Sequence, residues 1–96
     1  MRIRWTKRAA RDLDAIEAYI ETDDPQAAAR VVLRILDAVE HLVDHPHLGH
    51  PGRVEATREL VIAQLPYIVP YRVRGNVLEI LRVLHTAMRW PGESWG

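Results

Sequence analysis

The break at Asp24-Pro25 constrains the fold most, because it divides the first half of the chain into two amphipathic helical segments with almost no linker. Before it, apolar residues recur at Ala9, Leu13, Ile16 and Ile20, with Tyr19 alongside and Asp12, Asp14, Glu17 and Glu21 on the remaining surface. That spacing gives one apolar stripe on a helix over residues 7–22, with Thr6 placed to cap it. After the break, Ala28, Val32, Ile35, Val39 and Leu42 form a second stripe, broadened by Val31, Leu36 and Val43. Asp24 as N-cap and Pro25 at the first helical position mark its start. Pro46 disfavours helical geometry at His45 and marks its end. Two helices joined by residues 22–24 alone have to fold back as an antiparallel hairpin.

The rest of the chain reads as strands. Met1, Ile3 and Trp5 alternate with Arg2 and Arg4, a short strand signal at the start. Residues 46–56 carry Pro46, Gly49, Pro51 and Gly52 and read as a loop with no regular structure. Three strand-like runs follow at residues 58–65, 67–74 and 77–84. Pro66 suits the first turn, and Gly75-Asn76 is a two-residue hairpin signal for the second. Pro70 cannot donate to a ladder, so an edge position or a bulge is expected there. The expected fold is a single α+β domain over residues 1–96, ordered β-α-α-β-β-β, with a helical hairpin packed on one face of a mostly antiparallel sheet. Function is expected on the other face and its rim.

Composition narrows the function classes. No apolar run reaches the roughly 18–20 residues of a membrane span, and no signal-peptide core follows Met1, so a cytoplasmic protein without a membrane partner is expected. The absence of cysteine excludes disulfides and thiolate metal sites. Formal charge is zero, yet the signs are segregated: Arg2, Arg4, Lys7, Arg8 and Arg11 lie within residues 1–11 without an acid, and residues 12–24 hold six acids without a base. Only one of 13 basic residues is lysine, and arginine suits bidentate recognition of carboxylate or phosphate. A neutral chain argues against strong non-specific binding to nucleic acid by net charge alone.

In chain order, the first helix carries Ala9, Asp12, Leu13, Ile16, Tyr19 and Ile20; D-P-Q-A-A follows from Asp24; then come L-x-x-H-P-x-x-G from Leu42 and T-R-E-L-V from Thr57. P-Y-I-V-P-Y-R-V from Pro66 and V-L-E-I-L-R-V-L-H from Val77 complete the set. Together, across nearly the whole chain, these pieces resemble the RelE/ParE toxin superfamily, and the expected element order agrees with that family's fold. The resemblance implies a growth-inhibiting toxin of a type II toxin–antitoxin system, neutralised by a cognate small antitoxin, with no cofactor. RelE-like members cut mRNA on the ribosome; ParE-like members inhibit DNA gyrase.

RNA cleavage by the 2′-hydroxyl needs a base, a cation for the phosphorane and an acid for the leaving oxygen. RelE-like enzymes supply arginine and lysine on central strands plus a tail tyrosine or histidine. Here the matching middle-strand position is Ile68, no lysine follows Lys7, and the tail offers Arg89 and Trp90 instead of a tyrosine. His85 and Arg82 are the catalytic candidates of a nuclease, and Glu79 on the expected face of His85 stands about 20 Å from it by strand rise. The run L-R-V-L-H is closer to the ParE branch. The leading expectation is therefore a non-enzymatic ParE-like toxin that binds DNA gyrase through Arg58, Arg72, Arg82, His85, Arg89 and Trp90. The alternatives are a ribosome-dependent mRNA endonuclease and a degenerate toxin that only binds its antitoxin. His41 and His45 share a helix face, but without an H-E-x-x-H pattern no metal site is expected. The tryptophans Trp5, Trp90 and Trp95 read as core and tail anchors.

Overall fold

A computed structural model describes residues 1–87. The elements run β1 (Arg2–Trp5), α1 (Lys7–Glu21), α2 (Pro25–Asp44), β2 (His50–Pro51), β3 (Arg58–Val61), β4 (Tyr67–Arg74), β5 (Val77–Ile80) and β6 (Leu84–His85). Both helices start where local chemistry directs. Thr6 Oγ1 accepts from the Ala9 N–H at 3.1 Å, and Asp24 Oδ1 accepts from the Ala27 N–H at 3.1 Å, each relieving an orphan donor of a first turn. The second helix ends at Asp44, with His45 as its cap before Pro46.

The strand order is β1-β5-β4-β3-β2, with β6 added to β4. Only β1 and β5 run parallel; the other pairs are antiparallel. The hairpin covers one sheet face, as the α+β expectation requires. Ala9 of α1 and Ile35, Val39 and Leu42 of α2 pack against Leu60, Val69, Tyr71, Leu78 and Ile80, all buried. Each fully buried aliphatic side chain contributes about 1.5–3 kcal/mol relative to exposure, so this layer contact sets the fold. At the β4–β5 hairpin Gly75 takes φ +59°, the left-handed value that a tight two-residue turn needs and that glycine adopts without strain.

The strand expected over residues 58–65 stops at Val61, and three further features differ from the sequence reading. The third strand does not run unbroken through residues 77–84. Tyr71 faces Ile80 and Ile68 faces Leu84, so two residues of β4 oppose three, a β-bulge at residues 81–83. Helix α1 holds the bulge open: Thr6 Oγ1 donates to the Leu81 carbonyl at 3.0 Å, and the Val83 N–H donates to Asp12 Oδ2 at 2.9 Å. The extra residue reverses every side chain after it. His85 now pairs with Tyr67 on the helix side, whereas Glu79 pairs with Arg72 on the open side, so the two do not share a face.

Pro70 is likewise in a mid-sheet strand rather than at an edge. The Ile62 N–H donates to the Tyr67 carbonyl at 3.1 Å, and ladder alternation then turns the Pro70 nitrogen away from β3, toward the bulge. The bulge lies in the neighbouring segment, residues 81–83, and not at Pro70 itself. Finally, the loop at residues 46–56 contains a strand: His50 and Pro51 pair with Glu59 and Arg58. The close approach of Gly49 to the Tyr71 ring makes this possible, since an added Cβ would lie 2.7 Å from Cε1.

Candidate functional site

The sheet face away from the helices has two ends. At one, Val54 packs on Leu81 and Leu84, and the Arg53 N–H donates to Glu59 Oε2 at 2.8 Å, so the segment after β2 lies over that part of the sheet. At the other, four arginines stand on one face around a single acid. Arg4 on β1 and Arg72 on β4 are register partners of Glu79 on β5, and Arg2 and Arg74 flank Val77 one step along. Alternation along each strand puts all of them on the open side.

Glu79 is the organising group, with a side chain only 7% exposed. Arg72 Nε donates to Oε1 at 2.7 Å, Arg74 Nη1 lies 3.7 Å from the same oxygen, and Arg4 Nη1 donates to Oε2. The Arg72 hydrogen bond holds the Glu79 carboxyl below its ordinary value; burial opposes this, and the charges of Arg72, Arg4 and Arg74 reinforce it. One carboxylate thus fixes three guanidiniums and neutralises one. Arg4 and Arg74 keep 58% and 65% of their side-chain surface, so most of their donors face solvent. The arrangement can offer oriented guanidinium donors to an anion.

The other residues expected at a site lie apart. Arg82 engages Asp12 of α1 through Nε at 2.7 Å and Nη2 at 3.1 Å, on the helix side of the bulge. Arg58 clamps the strand-bearing loop, donating to the Gly49 carbonyl at 2.8 Å. His85 sits edge-on to Tyr67 at 5.4 Å between ring centroids, and its Nδ1 accepts the Ala87 N–H at 3.0 Å. Arg89 and Trp90 lie outside the described residues, as does Trp95. Of the described residues expected at the target-binding site, Arg72 alone belongs to the open-face cluster; Arg2, Arg4 and Arg74 were not among those expected, and Glu79 had been weighed only beside His85. Their signal was present in the alternation of residues 1–5 and 72–74, but the parallel pairing that unites them joins opposite ends of the chain.

Burial raises the Tyr71 hydroxyl above its ordinary value, against the Gly49 hydrogen bond and the Arg58 charge, so it stays protonated and donates to the Pro46 carbonyl at 2.8 Å. Tyr67 is raised too, first by burial and then by Tyr19. Among the described residues no three His, Asp or Glu side chains converge as a metal site, and no helix is long and apolar enough to cross a membrane.

A second surface is apolar. Outside the hairpin, Ala27, Val31 and Leu33 of α2 and Leu65 of the β3–β4 turn line an open groove of about 620 Å³, rimmed by Arg30, Arg34 and Asp37. Leu33 is 65% exposed. The sequence model of the family described as ParE toxin of type II toxin–antitoxin system, parDE, matches residues 3–90, and the chain belongs to that family.

Its relatives agree. The chain is 60% identical over 90 residues to the toxin Y4kP of Sinorhizobium fredii, covering 94% of this chain and 93% of that one. Toxin RelE2 of Caulobacter vibrioides is 39% identical over 83 residues, covering 86% and 92%. A solved chromosomal ParDE toxin–antitoxin system from P. aeruginosa superposes with TM-score 0.81 at 34% identity, covering 88% of this chain and 95% of that one.

Proposed function

We propose that this ParE-family toxin arrests growth by binding DNA gyrase, acts without cutting a substrate, and is silenced in the cytoplasm by a cognate antitoxin. The observation that carries this reading is the apolar character of the middle strand where the resemblance places a nuclease arginine. Ile68 pairs with Leu84, which packs with Leu81 and Val54, so among the described residues this part of the strand presents apolar side chains. On the open side the two buried acids are already engaged, Glu79 by arginines and Glu59 by the Arg53 N–H. Gyrase engagement then falls to the cationic end of the open face, with Arg72 as the shared residue, and to Arg89 and Trp90 of the tail. Arg58 and Arg82 serve this reading by holding the loop and the bulge in place. The groove beside Leu33 and Leu65 suits an amphipathic helix of the antitoxin.

One observation favours a second reading, ribosome-dependent mRNA cleavage: His85 accepts the Ala87 N–H through Nδ1, which leaves Nε2 as the ring nitrogen able to hydrogen-bond a substrate. Pulse-labelling after induction of the toxin without antitoxin separates the two. The gyrase reading expects DNA synthesis to fall first. An immediate fall in protein synthesis with cleaved transcripts overturns it and makes His85 the leading catalytic residue.

A further inference from the structure

The segregation of charge along the sequence becomes a segregation between layers. Residues 7–44, the helical hairpin, hold nine acidic and five basic side chains, whereas residues 1–6 and 45–87 hold three acidic and seven basic. A chain with no net charge is therefore polarised, with the negative side on the helices and the positive side on the sheet. At the centre of the positive side stand Arg4, Arg72 and Arg74, held by the buried Glu79, with Arg2 beside them on β1. The net charge of zero, which argues against nucleic-acid binding by the whole molecule, does not describe this face.

From this we infer that the open face of the sheet binds the phosphate backbone of duplex DNA, with Arg2, Arg4, Arg72 and Arg74 as phosphate contacts and Glu79 as the positioning residue. The spacing fits. Arginines two apart on a strand are about 7 Å apart, and β1 and β4 on either side of β5 are about 10 Å apart. A duplex carries one charge per roughly 1.7 Å of axis, so a patch of that size faces several phosphates at once. The Glu79 oxygens hold the planes of three guanidiniums, so less side-chain entropy is lost when a phosphate is gripped.

Duplex rather than single-stranded nucleic acid follows from what the face lacks. Single strands are held by bases stacked on aromatic rings. Among the described residues the sheet aromatics Trp5, Tyr67 and Tyr71 all pack toward the helix-side core, and none stands on the arginine face. Backbone contact by cations alone is what a duplex requires. The inference rests on the gyrase reading for its biological setting, since gyrase holds duplex DNA, but not for its physical argument.

The test is fluorescence anisotropy of the purified chain with a labelled random duplex, titrated with salt. Four phosphate contacts give a log–log slope near −3.6, so affinity falls on the order of a hundredfold between 50 and 200 mM salt. The exposed pair Arg2→Gln/Arg74→Gln leaves the Arg72–Glu79 pair intact and is expected to halve the slope, leaving roughly a tenfold fall. Salt-independent binding, or an unchanged slope in the variant with native circular dichroism, overturns the inference. Tighter binding to single-stranded RNA than to duplex overturns the duplex assignment. If duplex binding is absent while supercoiling by gyrase is inhibited, this inference fails alone. If duplex binding is as described while supercoiling is untouched, the gyrase reading fails alone.

Discussion

Replacing Asp12 with alanine removes the acceptor that ties α1 to the bulge. Its carboxylate takes three hydrogen bonds, from Arg82 Nε at 2.7 Å, Arg82 Nη2 at 3.1 Å and the Val83 N–H at 2.9 Å. The two side chains are 13% and 18% exposed, so the variant leaves a mostly buried guanidinium and a backbone donor without partners. Breaking a buried pair from one side costs about 3–5 kcal/mol. Because some water can reach this one, about 3 kcal/mol is expected for Asp12→Ala. A domain of this size has roughly 5–15 kcal/mol in total, and each kcal/mol moves Tm by about 4–8 °C, so melting should fall by roughly 12–24 °C. Urea denaturation followed by far-UV circular dichroism measures the loss. A double-mutant cycle with Arg82→Met should show a coupling of at least about 1 kcal/mol. A loss below about 0.5 kcal/mol, or strictly additive effects, refutes the claim that this pair holds the bulge.

Other outcomes follow from the same structure. Because the folded-state pKa of Glu79 is lowered, its contribution to stability is present above the ordinary carboxylate value and is lost as pH falls through the lowered folded value; Glu79→Gln should flatten the acid limb of a stability–pH profile measured by urea titration. Gly49→Ala places a Cβ 2.7 Å from Tyr71 Cε1 and 2.9 Å from the Glu59 carbonyl, and should cost about 1–3 kcal/mol by overpacking in thermal melts. Tyr71→Phe leaves the Gly49 N–H and the Pro46 carbonyl unpaired and should cost about 1–3 kcal/mol in the same assay. Leu33→Asp, at a side chain 65% exposed, should leave the fold intact while weakening antitoxin binding at least about tenfold by calorimetry.

The helical half was legible because its determinants are local. Thr6, Asp24 and Pro25 act within one turn of where they stand, and the stripes through Ile35, Val39 and Leu42 repeat at short range. The break of the third strand was not legible, because Thr6 and Asp12, which hold residues 81–83 out of the ladder, lie about seventy residues away. Alternation alone placed His85 with Glu79; one inserted residue reversed that. The strand at His50–Pro51 was hidden behind two prolines and two glycines, and it forms only because β3 offers Arg58 and Glu59 as partners. The cationic site was half visible. Arg72 was named on its own, yet Arg74 stands two residues along the same strand and Glu79 across the hairpin, and the parallel β1–β5 pairing adds Arg2 and Arg4.

Supercoiling of relaxed plasmid by purified gyrase, with the toxin added alone and then with its antitoxin, tests the central claim most directly. The account predicts loss of supercoiling at toxin concentrations comparable to the enzyme and recovery when the antitoxin is added. Undiminished supercoiling by a toxin that halts cell-free translation and leaves cleaved transcripts contradicts it.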